Sequence, residues 1–198
     1  MITDKDIRIR RLADYDQDVR YETANVFVEA YYENLSLFAK DKERIMNAFK
    51  STFCPEVFYL AEVEGEVVGI LACANNRQRA MHIDKDSMKK HFGFVKGNLA
   101  YYFMKNEFNT PLTYPDDTGY IECVATSEKA RGRGVCTALL QYVMQELPYR
   151  QFVLEVVDTN QTAYRLYKKV GFSEFRRKPE KFSKFKGFRE RIYMKWSK

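Results

Sequence analysis

Arg131, Gly132, Arg133 and Gly134 stand between E-K-A and the apolar run V-C-T-A-L-L that begins at Val135. A helix N-terminus exposes unpaired N–H groups and about half a positive charge. Glycines let a charged oxygen approach the backbone and the arginines add fixed cations, so this stretch suits phosphate, and diphosphate best. A tight turn before a helix, with both arginines solvated, explains the same residues. Two familiar phosphate motifs do not fit. A P-loop needs Lys and then Ser or Thr after its second glycine, whereas Val135 and Cys136 follow Gly134. A dinucleotide fingerprint needs a third glycine where Thr137 stands, and its glycines directly after a strand, whereas S-E-K-A intervenes here.

The elements that must hold this loop are regular. Tyr120 to Ala125 reads as a strand. Val135, Ala138, Leu139, Tyr142 and Val143 recur at i, i+3, i+4, i+7 and i+8, which predicts an amphipathic helix ending near Pro148. Phe152 to Val157 is nearly continuous in apolar residues, as suits a strand covered on both faces. Ala163, Leu166, Tyr167 and Val170 form a second helical stripe, opened by D-T-N and closed by Gly171. Strand, helix, strand, helix in that order predicts a parallel crossover. Upstream, I-R-I-R-R-L reads as a short strand, Asp14 to Phe53 as one or two helices, and the residues around Glu64 and Gly65 as an antiparallel hairpin. Asn75 to Asp117 is partly helical by pattern and ends in the loop N-T-P-L-T-Y-P-D-D-T-G. The tail from Phe172 to Lys198 supplies a final pair of strands, of which R-I-Y-M-K-W is the clearer.

V-A-T-S-E-K-A-R-G-R-G-V-C-T-A-L-L, followed after one strand by L-E-V-V-D-T-N-Q-T-A-Y-R-L-Y-K-K-V-G-F, resembles the acetyl-CoA-binding core of the GNAT superfamily of N-acetyltransferases. The resemblance runs from Gly119 to Phe172. It implies one α/β domain, a mixed, twisted β-sheet flanked by helices on both faces. Residues 1–75 would supply the N-terminal strand, helices and hairpin, 76–118 an insert shaping the acceptor site, 119–172 the acetyl-CoA-binding core, and 173–198 the C-terminal strands. It also implies acetyl-CoA as co-substrate, no metal, and transfer of acetyl to a primary amine of a small molecule or peptide by a monomer or homodimer.

Carried over by residue, the resemblance implies that backbone N–H groups of Arg131, Gly132, Arg133, Gly134, Val135, Cys136 and Thr137 cradle the diphosphate of CoA. The family's Q/R-x-x-G-x-G/A falls on Arg131, Gly134 and Cys136, so the last small position is cysteine here. Val124 and Ala125 would splay from the parallel neighbour to meet the pantetheine arm, with the N–H near Val124 facing the thioester oxygen. Tyr167 matches the family's general acid, although it also fits the core stripe of its helix. Asn160 matches the asparagine that contacts the cofactor or an ordered water, and it serves equally as an N-cap.

Glu122 is the one charged residue in Y-I-E-C-V-A, and strand alternation places it on the face of Tyr120 and Val124. A carboxylate there can take a proton from an incoming ammonium, and a glutamate bound to a neighbouring arginine or tyrosine explains it as well. Tyr31, Tyr32, Phe94, Tyr101 and Tyr102 are candidates to line the acceptor pocket, with core packing as the alternative.

Bulk properties narrow the remaining classes. The chain has 198 residues, 45% of them hydrophobic, enough for one sizeable core. No apolar run reaches the roughly 18 residues of a membrane span, and M-I-T-D-K-D-I-R lacks a signal-peptide core, so a soluble, cytoplasmic protein is expected. Cys54, Cys73, Cys123 and Cys136 form no C-x-x-C pair and read as reduced thiols; His82 and His91 are too isolated for a metal site. The net charge of +6 admits nucleic acid, an anionic small molecule or solubility alone. The tail R-R-K-P-E-K-F-S-K-F-K-G-F-R-E-R interleaves basic and aromatic residues but is broken by Glu180 and Glu190, and reads as a solvated loop and edge strand rather than a nucleic-acid module. Two rivals to an enzyme stand: a non-catalytic acyl-CoA-binding regulatory domain and a basic nucleic-acid-binding protein.

Overall fold

Along the chain run β1 (Arg8–Arg11), α1 (Arg20–Leu35), α2 (Lys42–Phe49), β2 (Phe58–Val63), β3 (Glu66–Ala74), α3 (Lys85–Phe92) and α4 (Phe94–Phe108). There follow β4 (Thr118–Thr126), α5 (Val135–Glu146), β5 (Gln151–Val157), α6 (Gln161–Val170), β6 (Ser173–Pro179), α7 (Ser183–Lys186) and β7 (Glu190–Ser197). The structure, a computed structural model, describes residues 7–181 and 183–198. The segment before Ile7, read above for a signal-peptide core, and Phe182 of the tail lie outside the described residues.

The strands form one sheet in the order β1-β2-β3-β4-β5-β7-β6. Every pairing is antiparallel except β4 with β5. That single parallel pair is what the strand-helix-strand order requires, since α5 carries the chain back across one face. β2 and β3 turn through Glu64 (φ 53) and Gly65 (φ 80), two left-handed residues whose twist matches that of the flanking strands. β7 enters between β5 and β6, so the tail forms its pair of strands with the last one against the core of the sheet.

Apolar residues pack on both faces. On one, Phe27 and Val28 of α1, Ile45 and Phe49 of α2 and Met88 of α3 close over Phe58, Leu60 and Ile70. On the other, Leu139 and Val143 of α5 and Tyr167 of α6 cover Leu71, Ile121, Phe152 and Leu154. Each such fully buried side chain contributes about 1.5–3 kcal/mol. α5 lies close to the sheet because β3 offers Gly69 beneath it: a Cβ there would stand 2.4 Å from Val135 Cγ1. The partly helical stretch between β3 and β4 resolves into α3, capped by the Asp84 side chain on Ser87 N–H, and α4, separated by Gly93 at φ 81.

Candidate active site

The glycine loop bends as its composition demands. Gly132 (φ 73) and Gly134 (φ 82) both occupy the left-handed region, and Gly134 caps the 12-residue α5. The first intrahelical bond is Ala138 N–H to the Gly134 carbonyl, so the N–H groups of Val135, Cys136 and Thr137 point out of the helix end. The Arg131 N–H differs from the expectation. It donates to the Glu128 carbonyl at 3.3 Å, closing a turn, so the row of available donors begins at Gly132. A Cβ on Gly132 would meet nothing within 4 Å, so its backbone is open to approach. Cys136 packs partly buried against the α5 and α6 side of the core, and burial pushes its thiol up to about 12.

Beside this loop the sheet opens. The β4–β5 ladder runs from Thr118–Gln151 to Ile121–Leu154 and stops, although β4 continues to Thr126 and β5 to Val157. The cause is a bulge. Ile70 pairs with Ala125 and Ala72 with Glu122, so Leu71 faces two residues of β4, and Cys123 holds φ 55. Ser127 N–H donates to Val68 on β3 at 2.8 Å. Counting back by alternation, Ala125 faces β3, and Val124 turns its carbonyl toward the side β5 has left. The extra residue corrects one expectation. Val124 packs with the α5 cluster while Cys123 and Ala125 pack with the α1 cluster, so Glu122 and Val124 do not share a face.

Two tyrosines converge on this fork from opposite sides. Tyr167 on α6 is 7% exposed, its ring 6.2 Å from that of Phe172, and burial followed by the nearby Cys136 thiol raises its phenol far above the ordinary value. Its helix is fixed at both ends: the Asn160 side chain accepts from Ala163 N–H at 3.1 Å, and Gly171 at φ 108 turns the chain out. From α1, Tyr31 donates its hydroxyl to the Val124 carbonyl at 3.3 Å. Burial raises the Tyr31 phenol too, with smaller effects from Cys123, Tyr167, Cys136 and Glu122, the groups that surround it. Glu29, two residues earlier, accepts from Glu128 N–H at 2.6 Å, so α1 is tied to both ends of the stretch that leads from β4 into the glycine loop.

On the α1 face, Glu122 sits in a network that spacing alone did not reveal. Its Oε1 accepts from Ala80 N–H at 3.0 Å and from Arg79 Nε at 3.3 Å, and its Oε2 accepts from Arg79 at 2.8 Å. Both side chains are largely buried, at 13% and 11% exposure. Arg79 also donates to the carbonyl of Glu107 in the last turn of α4 and to that of Thr110 just beyond it. Arg191 of β7, read above as one more cation of the tail, pairs with Glu107 at 2.7 Å, Glu180 at 3.0 Å and Glu155. Tyr120 is stacked on Tyr114 at 5.5 Å alongside this network. Neither arginine carried a local signal, because each partner lies on a different element.

The other candidate acceptor residues are dispersed. Tyr32 donates to the Lys40 carbonyl, Tyr102 is exposed between Lys85 and Lys105, Tyr101 packs partly buried on α4, and Phe94 is exposed. Of the five, Tyr31 alone has its hydrogen bond on the splayed strand. The tail is likewise engaged, with Arg177 bound to Glu174 and Glu190. All four cysteines are free thiols, and among the described residues no helix is long and apolar enough to cross a membrane.

A family model described as acetyltransferase (GNAT) family matches residues 20–172. No curated protein sequence matches the chain. Among solved structures, an N-acetyltransferase from Staphylococcus aureus Mu50 is similar with a TM-score of 0.61 at 20% identity, over 96% of this chain and 100% of that one. A GNAT family acetyltransferase from Bacillus cereus gives 0.59 at 11% identity, over 97% of each chain. One from Elizabethkingia anophelis, with acetyl-CoA bound, gives 0.54 at 15% identity, over 98% of this chain and 99% of that one. These likenesses carry the fold. The chain belongs to the acetyltransferase (GNAT) family.

Proposed function

We propose that the chain is an N-acetyltransferase that moves acetyl from acetyl-CoA to a primary amine of a small molecule or peptide by direct attack. The observation that carries this reading is the fork: the β4–β5 ladder ends at Ile121 and Leu154 directly beside a loop of outward N–H groups. A diphosphate fits that loop, since the backbone at Gly132 is open to approach and three helix N–H groups after Gly134 face outward. When bound, acetyl-CoA supplies an acyl group already activated as a thioester.

The chain's own residues then divide the remaining work. Gly132 to Thr137 bind the diphosphate, with Arg131 and Arg133 adding charge. The free edge of β4 at Val124 orients the pantetheine arm, with Ala125 holding that edge on β3, and the Val124 N–H stabilises negative charge on the acyl oxygen. Tyr167, kept protonated by burial, delivers the phenol proton to the departing sulfur. Glu122 receives the proton of the incoming ammonium. Its Oε2 takes a single hydrogen bond, from Arg79, and so retains a lone pair for that proton. Asn160 sets the start of α6 and thereby the place of Tyr167.

The test pairs calorimetric titration with acetyl-CoA and a screen of amines for acetyl-dependent thiol release. Tyr167→Phe is expected to bind acetyl-CoA as wild type does and to lose about 100-fold or more in turnover. Absence of acetyl-CoA binding in wild type overturns the reading. Unchanged turnover in the variant removes Tyr167 from its acid role.

A further inference from the structure

We propose that Tyr31 sets the length of the acyl group this protein accepts, admitting acetyl and turning away longer chains; this rests on the acetyltransferase reading above. The phenol hydroxyl is anchored on Val124, the residue whose N–H would face the acyl oxygen, so the ring crosses the fork beside the position the acyl carbon must take. Cys123, Tyr167 and Cys136 stand around it. The ring approaches from α1, opposite the helix that carries Tyr167, and so forms the wall that an acyl tail would meet.

That wall is backed. The Tyr31 ring lies 4.8 Å from Phe27, which in turn lies 5.3 Å from Phe49 and 5.7 Å from Phe53, and these three are at most 4% exposed. A close-packed aromatic stack has no room to receive a displaced ring. Glu29 holds the same turn of α1 against Glu128 N–H, so the helix as a whole is also restrained. The hydroxyl fixes the ring's far end, while Phe27 and the residues behind it fix its near side. Neither rotation about the side chain nor withdrawal of α1 makes space without breaking an observed contact. One or two extra methylenes therefore have to be accommodated at the cost of the Val124 hydrogen bond or the aromatic packing.

Calorimetric titration of wild type, Tyr31→Phe and Tyr31→Ala with CoA, acetyl-CoA and butyryl-CoA tests this without any acceptor. Wild type is expected to bind CoA and acetyl-CoA alike and butyryl-CoA at least about tenfold more weakly. Tyr31→Phe keeps the ring and keeps most of that discrimination, whereas Tyr31→Ala brings butyryl-CoA to within about threefold of acetyl-CoA. The ratio between ligands within one variant cancels any general loss of folded protein, and Tyr31→Leu replaces the alanine variant should that not fold. Equal binding of butyryl-CoA and acetyl-CoA by wild type overturns the proposal, as does discrimination that survives removal of the ring. Failure of CoA itself to bind is a distinct result, which overturns the acetyltransferase reading and this proposal with it.

Discussion

The two sides of the β4–β5 fork are built from different materials. On the α5 side the surface is backbone: two left-handed glycines, the outward N–H groups of a helix end, and the edge of a strand released by a bulge. On the α1 side it is side chains: Glu122 held by Arg79, Arg191 among three carboxylates, and Tyr31 reaching from a distant helix. A backbone surface recognises what any acyl-CoA shares, a diphosphate and an amide-bearing arm. Side chains recognise what differs between ligands, which is what the proposed roles of Tyr31 toward the acyl group and Glu122 toward the amine require.

Substitutions on each side sharpen the contrast. The largest effect is expected from Gly134→Glu, which forces a side chain into φ 82 and sets a carboxylate at the helix end proposed to hold the diphosphate. Acetyl-CoA affinity should fall by about 100-fold or more in calorimetry, with a small change in melting temperature. Wild-type affinity in this variant would mean that the loop is only a turn. Arg79→Ala should do the reverse. It leaves the Glu122 carboxylate largely buried with the Ala80 N–H as its remaining partner, which costs about 3 kcal/mol of stability in denaturant unfolding. Acetyl-CoA affinity should change little, and a large loss of it would erase the division between the two sides. Gly69→Ala is expected to have the smallest effect, roughly 1–3 kcal/mol, as the added methyl group pushes on Val135 at the first turn of α5. Because Val135 follows the loop directly, a modest weakening of acetyl-CoA binding should accompany it, measurable in the same titration.

The same division explains what could be read from residues in order. The glycine loop, the α5 and α6 stripes, the Asn160 cap and the Gly171 exit each depend on neighbours a few positions away, so their signals are local. The hairpin at Glu64 and Gly65 was legible for the same reason. The bulge was not: C-V-A contains no glycine or asparagine to announce φ 55 at Cys123, and strict alternation put Glu122 and Val124 on one face. Arg79 and Arg191 were invisible because their partners lie between 11 and 84 residues away on other elements. The surroundings of the α4 aromatic residues were hidden for a further reason. Helical spacing says which residues share a face, but not whether that face meets the core or, as for Phe94, Tyr102 and Phe103, open solvent.

Arg79 stitches the segment between β3 and β4 to the middle of the sheet through one carbonyl in the last turn of α4, one just after it, and one carboxylate on β4. A change in the length or tilt of α4 therefore reaches the Glu122 carboxylate through one guanidinium, while among the described residues the glycine loop has no bond to that network. On the reading proposed above, changes in α3 and α4 bear on the acceptor side, while the loop proposed to seat the acyl donor is held through other contacts, among them Glu29 on Glu128 N–H.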